Sequence, residues 1–170
     1  MRTNVCSSVL VMLACSIPCA IAADWPRFRG PNGSAVSEET GLPLTWSDTE
    51  NIAWKAELPG PGSSSPIVSG DRVFVTCYSG YGVERSSSGD QEKLKRHLVC
   101  LSLRNGKVLW QKSVPATLPE DRYGGQLSEH GYATHTPAAD GQRVFVFFGK
   151  SGVLAFDWEG NQLWQTSVGT

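Results

Sequence analysis

The feature that most constrains the fold of this chain is an internal repeat. Residues 66–75 recur as residues 137–146, and both copies end in the pattern Gly-x-Arg-Val-Phe-Val. Farther along, residues 106–111 recur as residues 160–165, and both copies end in Leu-Trp-Gln. Self-similarity over a few tens of residues is typical of solenoids, propellers and other arrays. The chain is therefore built from copies of one small unit.

Each copy contains short strands. In the second copy, β-branched and aromatic runs at 143–148, 153–156 and 162–167 are separated by Gly-containing turns, which predicts three or four antiparallel strands. No ten-residue stretch has helical apolar spacing, which argues against a helical solenoid. Eighteen Gly and ten Pro also suit tight turns. We therefore predict an all-β fold, a β-propeller of four-stranded antiparallel blades.

The repeats divide the chain into segments. Residues 79–95, rich in Ser, Gly and charge, have no counterpart in the second copy, and we expect them to form a solvated loop inserted into the first blade. An earlier, incomplete copy retains only the element that contains Trp54. The predicted segments are an N-terminal extension 23–50 and the first part of a propeller, 51–170, which comprises a lone Trp strand 51–58, a blade 65–114, a connecting loop 115–135 and a blade 136–170.

The turn before each tryptophan resembles a known repeat. The run from Cys100 to Trp110 resembles the Ala-x-Asp-x-x-Thr-Gly-x-x-x-Trp docking motif of PQQ-like (pyrroloquinoline quinone-like) β-propeller repeats, and matches it at Gly106 and Trp110. The second copy is one residue shorter and keeps Ala155, Asp157, Gly160 and Trp164. Residues 24–33 resemble the opening of exported bacterial members of this family, of BamB-like and planctomycete type.

The resemblance implies roles for the repeated residues. In that family the tryptophan of one blade packs between blades, which implies structural docking roles for Trp54, Trp110, Trp164, Gly106 and Gly160. The quinoprotein dehydrogenases among PQQ proteins hold Ca²⁺ with carboxylate and amide oxygens and use an Asp base and an Arg near the quinone. No such set can be assigned in this sequence, so we assign it no catalytic or metal-binding residue.

The number of blades is too small for a ring. A propeller closes with typically 4 to 8 blades, and the sequence predicts two blades and a lone opening strand. In the family such a strand completes the last blade. We expect the chain to be the beginning of a longer protein, in which the remaining blades are its partners; the alternative is that several short chains assemble into one ring.

Residues 1–22 have the three-part pattern of a secretory signal peptide. Arg2 precedes an uncharged run that begins at Val5, and the small residues Ala20 and Ala22 favour cleavage after Ala22. The alternatives are a membrane anchor, which needs about 20 strongly apolar residues, and a lipoprotein acylated at Cys15. We expect an exported protein, periplasmic or associated with the cell envelope, with no transmembrane span after cleavage.

Signal cleavage would leave two cysteines, Cys77 and Cys100. An exported protein resides where disulfides persist. However, the expected pairing places the two on one face of neighbouring strands in diagonal positions, about 7 to 8 Å apart, whereas a disulfide requires Cα atoms within about 7 Å. We therefore expect two small buried apolar residues in preference to a disulfide.

One long loop is the place to look for ligand contacts. A connection of about 20 residues, from Pro115 to Thr136, is longer than most connections between strands in compact domains. It contains three weak candidates for ligand binding, His130, Tyr132 and His135. Glu129 beside the two histidines does not have the spacing of a zinc site. The remaining candidate carboxylates are expected to form turns: Asp71, Asp121, Asp140 and Asp157.

Two functional classes remain. Fifteen basic and sixteen acidic residues provide no basic stripe for phosphates, which argues against nucleic acid as a partner. The first class is a non-catalytic scaffold that binds or assembles a protein or envelope partner and needs no cofactor. The second is a periplasmic quinoprotein oxidoreductase that uses PQQ with Ca²⁺ and whose catalytic residues lie beyond this segment. Fold alone does not decide between them.

Overall fold

The computed structural model describes residues 23–84 and 86–169, so the predicted signal peptide lies outside the described residues. The described chain forms two four-stranded antiparallel sheets, each with its strands in sequence order. The first sheet contains β1 (Ile67–Ser69), β2 (Arg72–Ser79), β3 (Lys95–Ser102) and β4 (Val108–Pro115). The second contains β5 (Ala138–Ala139), β6 (Arg143–Phe147), β7 (Val153–Asp157) and β8 (Gln162–Thr166).

The predicted all-β fold of four-stranded antiparallel blades is confirmed. Helical structure in the described residues is limited to the single turn α1 (Gln126–His130) and two 3₁₀ turns, Gln91–Lys93 and Gly149–Ser151. The described part of the chain forms two blades and no closed ring.

The two sheets repeat each other in detail. The pairing of β3 with β4 shifts register between Cys100 and Leu101, and the pairing of β7 with β8 shifts between Ala155 and Phe156. A register shift of this kind bends a strand and increases its twist. Because the same irregularity occurs at the same place in both copies, the sequence repeat is also a structural repeat.

The main core lies between the two sheets. One face of the first sheet packs on one face of the second, and every buried residue of this cluster is at most 2% exposed. Burying one such side chain stabilises a fold by roughly 1.5 to 3 kcal/mol. The first sheet contributes Ile67, Phe74, Leu98 and Cys100, and the second contributes Val144, Val146, Phe148, Leu154 and Phe156.

The opposite face of the first sheet is covered by residues that precede it. Val73, Cys77, Val99 and Leu101 form a second cluster, on which Trp54 and Ala56 pack. Residues 51–58, predicted as a lone strand, are not a strand here, since no described strand pairs with them. They contact the sheet through side chains instead of through a ladder of backbone hydrogen bonds.

The start of the N-terminal extension joins the two blades. Trp25 exchanges backbone hydrogen bonds of 2.8 and 3.0 Å with Val68 in β1. The carbonyl of the next residue, Pro26, accepts a 2.8 Å bond from the amide of Ala139 in β5. This short segment therefore bridges the first strand of each sheet.

The placement of the two cysteines on one face is wrong. Cys77 is paired with His97, three positions from Cys100 along β3. Successive side chains of a strand point to opposite faces, so an odd offset places the two thiols on opposite sides of the sheet. Cys77 packs in the outer cluster and Cys100 in the core between the blades, and both are free and buried.

Both thiols should resist alkylation in the folded chain. Burial raises the pKa of Cys77 and raises that of Cys100 to about 11, and the thiolate is the reactive form. Iodoacetamide treatment at pH 8, followed by peptide mass spectrometry, should find both residues unmodified until urea unfolds the protein. Fast alkylation without urea, or a peptide pair linked through Cys77 and Cys100, would contradict this arrangement.

Candidate functional site

Three loops meet at one end of the two blades. They connect β2 to β3, β4 to β5, and β6 to β7, and comprise residues 80–94, 116–137 and 148–152. We call this surface the loop platform. The expectation that the inserted loop is a solvated excursion is wrong for three of its described residues: Gly82 is buried, and Tyr81 is 6% and Leu94 0% exposed. Tyr81 and Leu94 belong to a third buried cluster that the inserted and connecting loops form together.

All four tyrosines of the chain take part in the platform. The ring centroids of Tyr78 and Tyr132 are 5.5 Å apart, those of Tyr81 and Tyr132 5.6 Å, and those of Tyr81 and Tyr123 6.5 Å. Aromatic pairs of this kind add roughly 0.5 to 1.5 kcal/mol each beyond their burial. The tyrosines therefore fasten the inserted loop and the connecting loop to the end of β2.

Hydrogen bonds of the tyrosine hydroxyls strengthen this connection. The hydroxyl of Tyr132 donates to the carbonyl of Asp121 at 2.7 Å, and that of Tyr78 donates to the carbonyl of Gly82 at 2.8 Å. Burial raises the pKa of both phenols, so both remain neutral donors at physiological pH. Tyr132, one of the predicted ligand candidates, is only 6% exposed.

A buried ion pair lies under the platform. Arg96 Nη1 and Glu120 Oε1 are 2.7 Å apart, and the two side chains are 5% and 4% exposed. Arg96 Nε also donates to the carbonyl of Tyr132 at 2.9 Å. Arg96 directly follows the inserted loop and has the same strand parity as Leu98 and Cys100, and that parity was the signal in the sequence that it points into the core.

The ion pair forms part of the wall of a cavity of about 180 Å³. Of the predicted ligand candidates, Tyr132 and His135 line this cavity, while His130 lies outside it and lines two neighbouring, more open pockets. Sequence reasoning missed three charged residues of the wall: Arg96, Glu120 and Lys150.

The wall continues onto the second blade through Lys150. Its Nζ donates to the carbonyl of Pro119 at 2.6 Å and lies 3.5 Å from Asp121 Oδ1. These contacts attach the loop between β6 and β7 to the connecting loop. The cavity is therefore bounded by residues of both blades.

A second polar cluster lies on the outer face of the first sheet. The ring of His97, 4% exposed, lies between two hydroxyls, with Nε2 2.8 Å from Ser79 Oγ and Nδ1 2.8 Å from Ser113 Oγ. Burial and the charge of Lys95 lower the pKa of His97. A neutral imidazole donates with one nitrogen and accepts with the other, so both ring nitrogens are satisfied.

The buried His97 should make the protein less stable in mild acid. Its pKa is lower in the folded state than in the unfolded chain, where it is about 6.5. Below that value the unfolded chain binds more protons, so stability is complete above about pH 6.5 and falls with decreasing pH, by up to roughly 1.4 kcal/mol for each unit of pKa shift. Urea unfolding of the wild type and of His97→Gln at pH 7 and pH 5 measures this, and the variant should lose less stability. Equal losses would contradict the prediction.

Three of the four candidate carboxylates lie in the turns opposite the platform. Asp140 Oδ1 accepts backbone N–H bonds from Gln142 and Arg143 at 2.9 and 2.7 Å, and Asp157 Oδ1 accepts one from Asn161 at 2.7 Å. The backbone bonds lower the pKa of Asp140, whereas the pKa of Asp157 is lowered mainly by the side-chain amide of Asn161, which donates to Asp157 Oδ2 at 2.9 Å. Asp71 is in the turn between β1 and β2, and Asp121 is in the platform. Within the described residues, no group of three His, Cys, Asp or Glu side chains could hold a metal ion.

Two tryptophans contact the following blade in the same way. Trp54 Nε1 donates to the carbonyl of Leu103 at 2.8 Å, and its ring lies against Gly106. Trp110 Nε1 donates to the carbonyl of Trp158, also at 2.8 Å.

The ring of Trp110 lies against Gly160, where an added Cβ would come within 2.8 Å of the indole. Both Gly106 and Gly160 have a positive φ, 70° and 83°, which disfavours any side chain. Each glycine thus provides both the turn and the flat surface on which a tryptophan packs.

A comparison with known protein families also finds a repeat in this part of the chain. A family model of PQQ repeats, described as outer membrane protein assembly factor BamB, matches residues 87–170. The chain belongs, over these residues, to the PQQ-like repeat family. A search of curated proteins found no match. The match includes both Gly106 and Gly160 and every strand from β3 to β8.

One face of the second blade is not covered by another sheet of the described residues. Phe145 occupies the repeat position of Phe74, and Trp164 that of Trp110. Phe74 and Trp110 pack against the second blade, whereas Trp164 is 42% exposed and contacts Phe145, with ring centroids 6.0 Å apart. Trp164 therefore occupies the same repeat position as Trp54 and Trp110. Among the described residues, however, no glycine packs against its ring as Gly106 and Gly160 do against theirs.

No helix in the described residues is long and apolar enough to cross a membrane.

Proposed function

We propose that this chain is an exported, non-catalytic scaffold that presents the loop platform to a protein partner in the cell envelope. The observation that carries the proposal is the match of residues 87–170 to the family described as outer membrane protein assembly factor BamB. Such a role uses the surface and shape of the blades and needs no cofactor, so none is proposed for this segment.

The construction of the platform supports a binding role. The tyrosine cluster and the pair of Arg96 and Glu120 fix the connecting loop in place. A surface that is ordered before binding loses less conformational entropy when a partner docks. Val83 and Leu118, each 45% exposed, provide apolar contact area on the two main loops.

Site-specific photo-crosslinking in the producing cells tests this role. A photoreactive amino acid is placed at Val83 or Leu118 on the platform and, as matched controls, at Lys107 or Gln142 in exposed turns at the opposite end of the blades. We expect the same envelope protein to be crosslinked from both platform positions and from neither control. Equal crosslinking from both ends, or none from the platform, would contradict the scaffold role.

Export is a separate part of the proposal and has its own test. N-terminal sequencing of the mature protein should begin at Ala23 or within a residue or two of it. A mature protein that retains Met1, or one acylated at Cys15, would contradict cleavage by the secretory signal peptidase.

Titration with PQQ distinguishes the scaffold from an oxidoreductase. The scaffold proposal expects no saturable change in PQQ absorbance when the chain is added in the presence of Ca²⁺. Saturable binding that needs Ca²⁺ would instead favour a quinoprotein oxidoreductase.

A further inference from the structure

The chain contains two Asn-Gly pairs, and both lie in turns of the same kind. Asn32 Oδ1 accepts the backbone N–H of Ser34 at 3.0 Å, and Asn105 Oδ1 accepts that of Lys107 at 3.1 Å. In such an Asx turn the side chain folds back over the peptide that follows it. The side-chain carbonyl carbon of each asparagine, Cγ, is therefore held near the amide nitrogen of the next glycine.

This arrangement is the starting geometry for succinimide formation, since reacting groups held close together react faster. The glycine nitrogen loses its proton to hydroxide and attacks Cγ, and glycine has no Cβ to obstruct the attack. The bond from Cγ to Nδ2 breaks, and the amide nitrogen takes a proton from water and leaves as ammonia. Water then opens the cyclic imide at either carbonyl, which gives aspartate or isoaspartate. The net change is the hydrolysis of one amide, so water is the only co-reactant.

The two turns differ in how the glycine is packed. Gly106 is buried, an added Cβ would collide with the indole of Trp54, and its N–H bond within the turn is 2.9 Å long. Gly33 has nothing within 4 Å of the corresponding Cβ position, and its N–H bond within the turn is longer, at 3.2 Å. Hydroxide therefore reaches the nitrogen of Gly33 more easily, whereas the docked Trp54 shields that of Gly106.

The side-chain carbonyl of Asn32 also has a second donor. Ser34 Oγ donates to Asn32 Oδ1 at 2.7 Å, in addition to the backbone N–H of the same serine. Negative charge develops on Oδ1 when the nitrogen attacks Cγ, and donors already directed at that oxygen stabilise it. Among the described residues, Asn105 Oδ1 has the backbone donor alone.

We propose that Asn32 is a site of spontaneous deamidation activated by Ser34, and that the docked turn protects Asn105 from the same reaction. Asn32 is exposed and lies just after Trp25 and Pro26, which join the two blades. Deamidation adds a negative charge beside this junction, and isoaspartate also lengthens the backbone by one methylene. The proposal goes beyond the scaffold function and is independent of it, since the reaction requires no partner.

Incubation of the purified protein at pH 8, followed over days by peptide mass spectrometry, tests the site. A parallel sample in urea measures the reactivity of both sequences without the fold. In the folded protein we expect Asn32 to be converted at least about tenfold faster than Asn105, because the buried turn must first open locally. The two rates should be similar in urea. Equal rates in the folded protein, or no conversion of Asn32 there while both sites react in urea, would overturn the proposal.

Two variants separate activation by Ser34 from exposure alone. Ser34→Ala removes the side-chain donor and should slow the conversion of Asn32 by about two- to tenfold, the effect of one hydrogen bond. Ser37→Ala is the matched control in the same exposed segment, because Ser37 Oγ accepts the amide N–H of Glu39 instead, and it should leave the rate unchanged. A wild-type rate in Ser34→Ala, or equal slowing in both variants, would contradict the activation of Asn32.

Discussion

Replacing Trp110 by alanine should destabilise the protein by up to about 3 to 5 kcal/mol, the cost of removing a fully buried aromatic side chain, since Trp110 is partly buried and packed on the core. The indole packs against Phe74, with ring centroids 5.8 Å apart, and lies flat on Gly160 of the second blade. Its N–H also satisfies the carbonyl of Trp158. Because a domain is stable by only roughly 5 to 15 kcal/mol in total, this single change removes much of that stability. Urea unfolding followed by circular dichroism measures it.

Trp46→Ala is the matched control for this prediction. Trp46 is 67% exposed, so its removal should change the free energy of unfolding by no more than about 0.5 kcal/mol. Similar, small losses in both variants would show that Trp110 does not join the two blades.

Replacing Glu120 by alanine should also cost about 3 to 5 kcal/mol, because it leaves the charge of Arg96 buried without a partner. The double variant Arg96→Met with Glu120→Leu removes both charges and should recover most of that loss. Asp48→Ala is the control, because it breaks the pair of Lys55 and Asp48, whose side chains are 61% and 96% exposed. Exposed pairs contribute at most about 1 kcal/mol. If Glu120→Ala costs no more than Asp48→Ala, the buried pair does not support the platform.

The sequence predicted those parts of the fold that depend on short-range patterns. Strand alternation and turn residues locate β2 and β6 from the shared Arg-Val-Phe-Val run. The family resemblance implied docking roles for these tryptophans and glycines without saying which would meet. The structure supplies the pairs, with Trp54 on Gly106 and Trp110 on Gly160.

What the sequence did not predict depends on long-range contacts that occur once. Arg96 and Glu120 are 24 residues apart, and Glu120 lies in the connecting loop, which occurs once, so no repeated pattern relates them. The placement of Tyr81 and Leu94 depends on the connecting loop that covers them. The faces of Cys77 and Cys100 depend on strand register, where an error of one residue exchanges the two faces of a sheet.

The central claim is that Trp54 docks the segment before the first blade onto that blade, and that Trp110 docks the first blade onto the second, each through an indole N–H bonded to the following blade. Hydrogen exchange of the indole N–H groups, followed by NMR and assigned with Trp→Phe variants, tests it most directly. The indole protons of Trp54 and Trp110 should exchange at least about a hundredfold more slowly than that of the exposed Trp46. Exchange at Trp110 as fast as at Trp46 would contradict the docked arrangement of the blades.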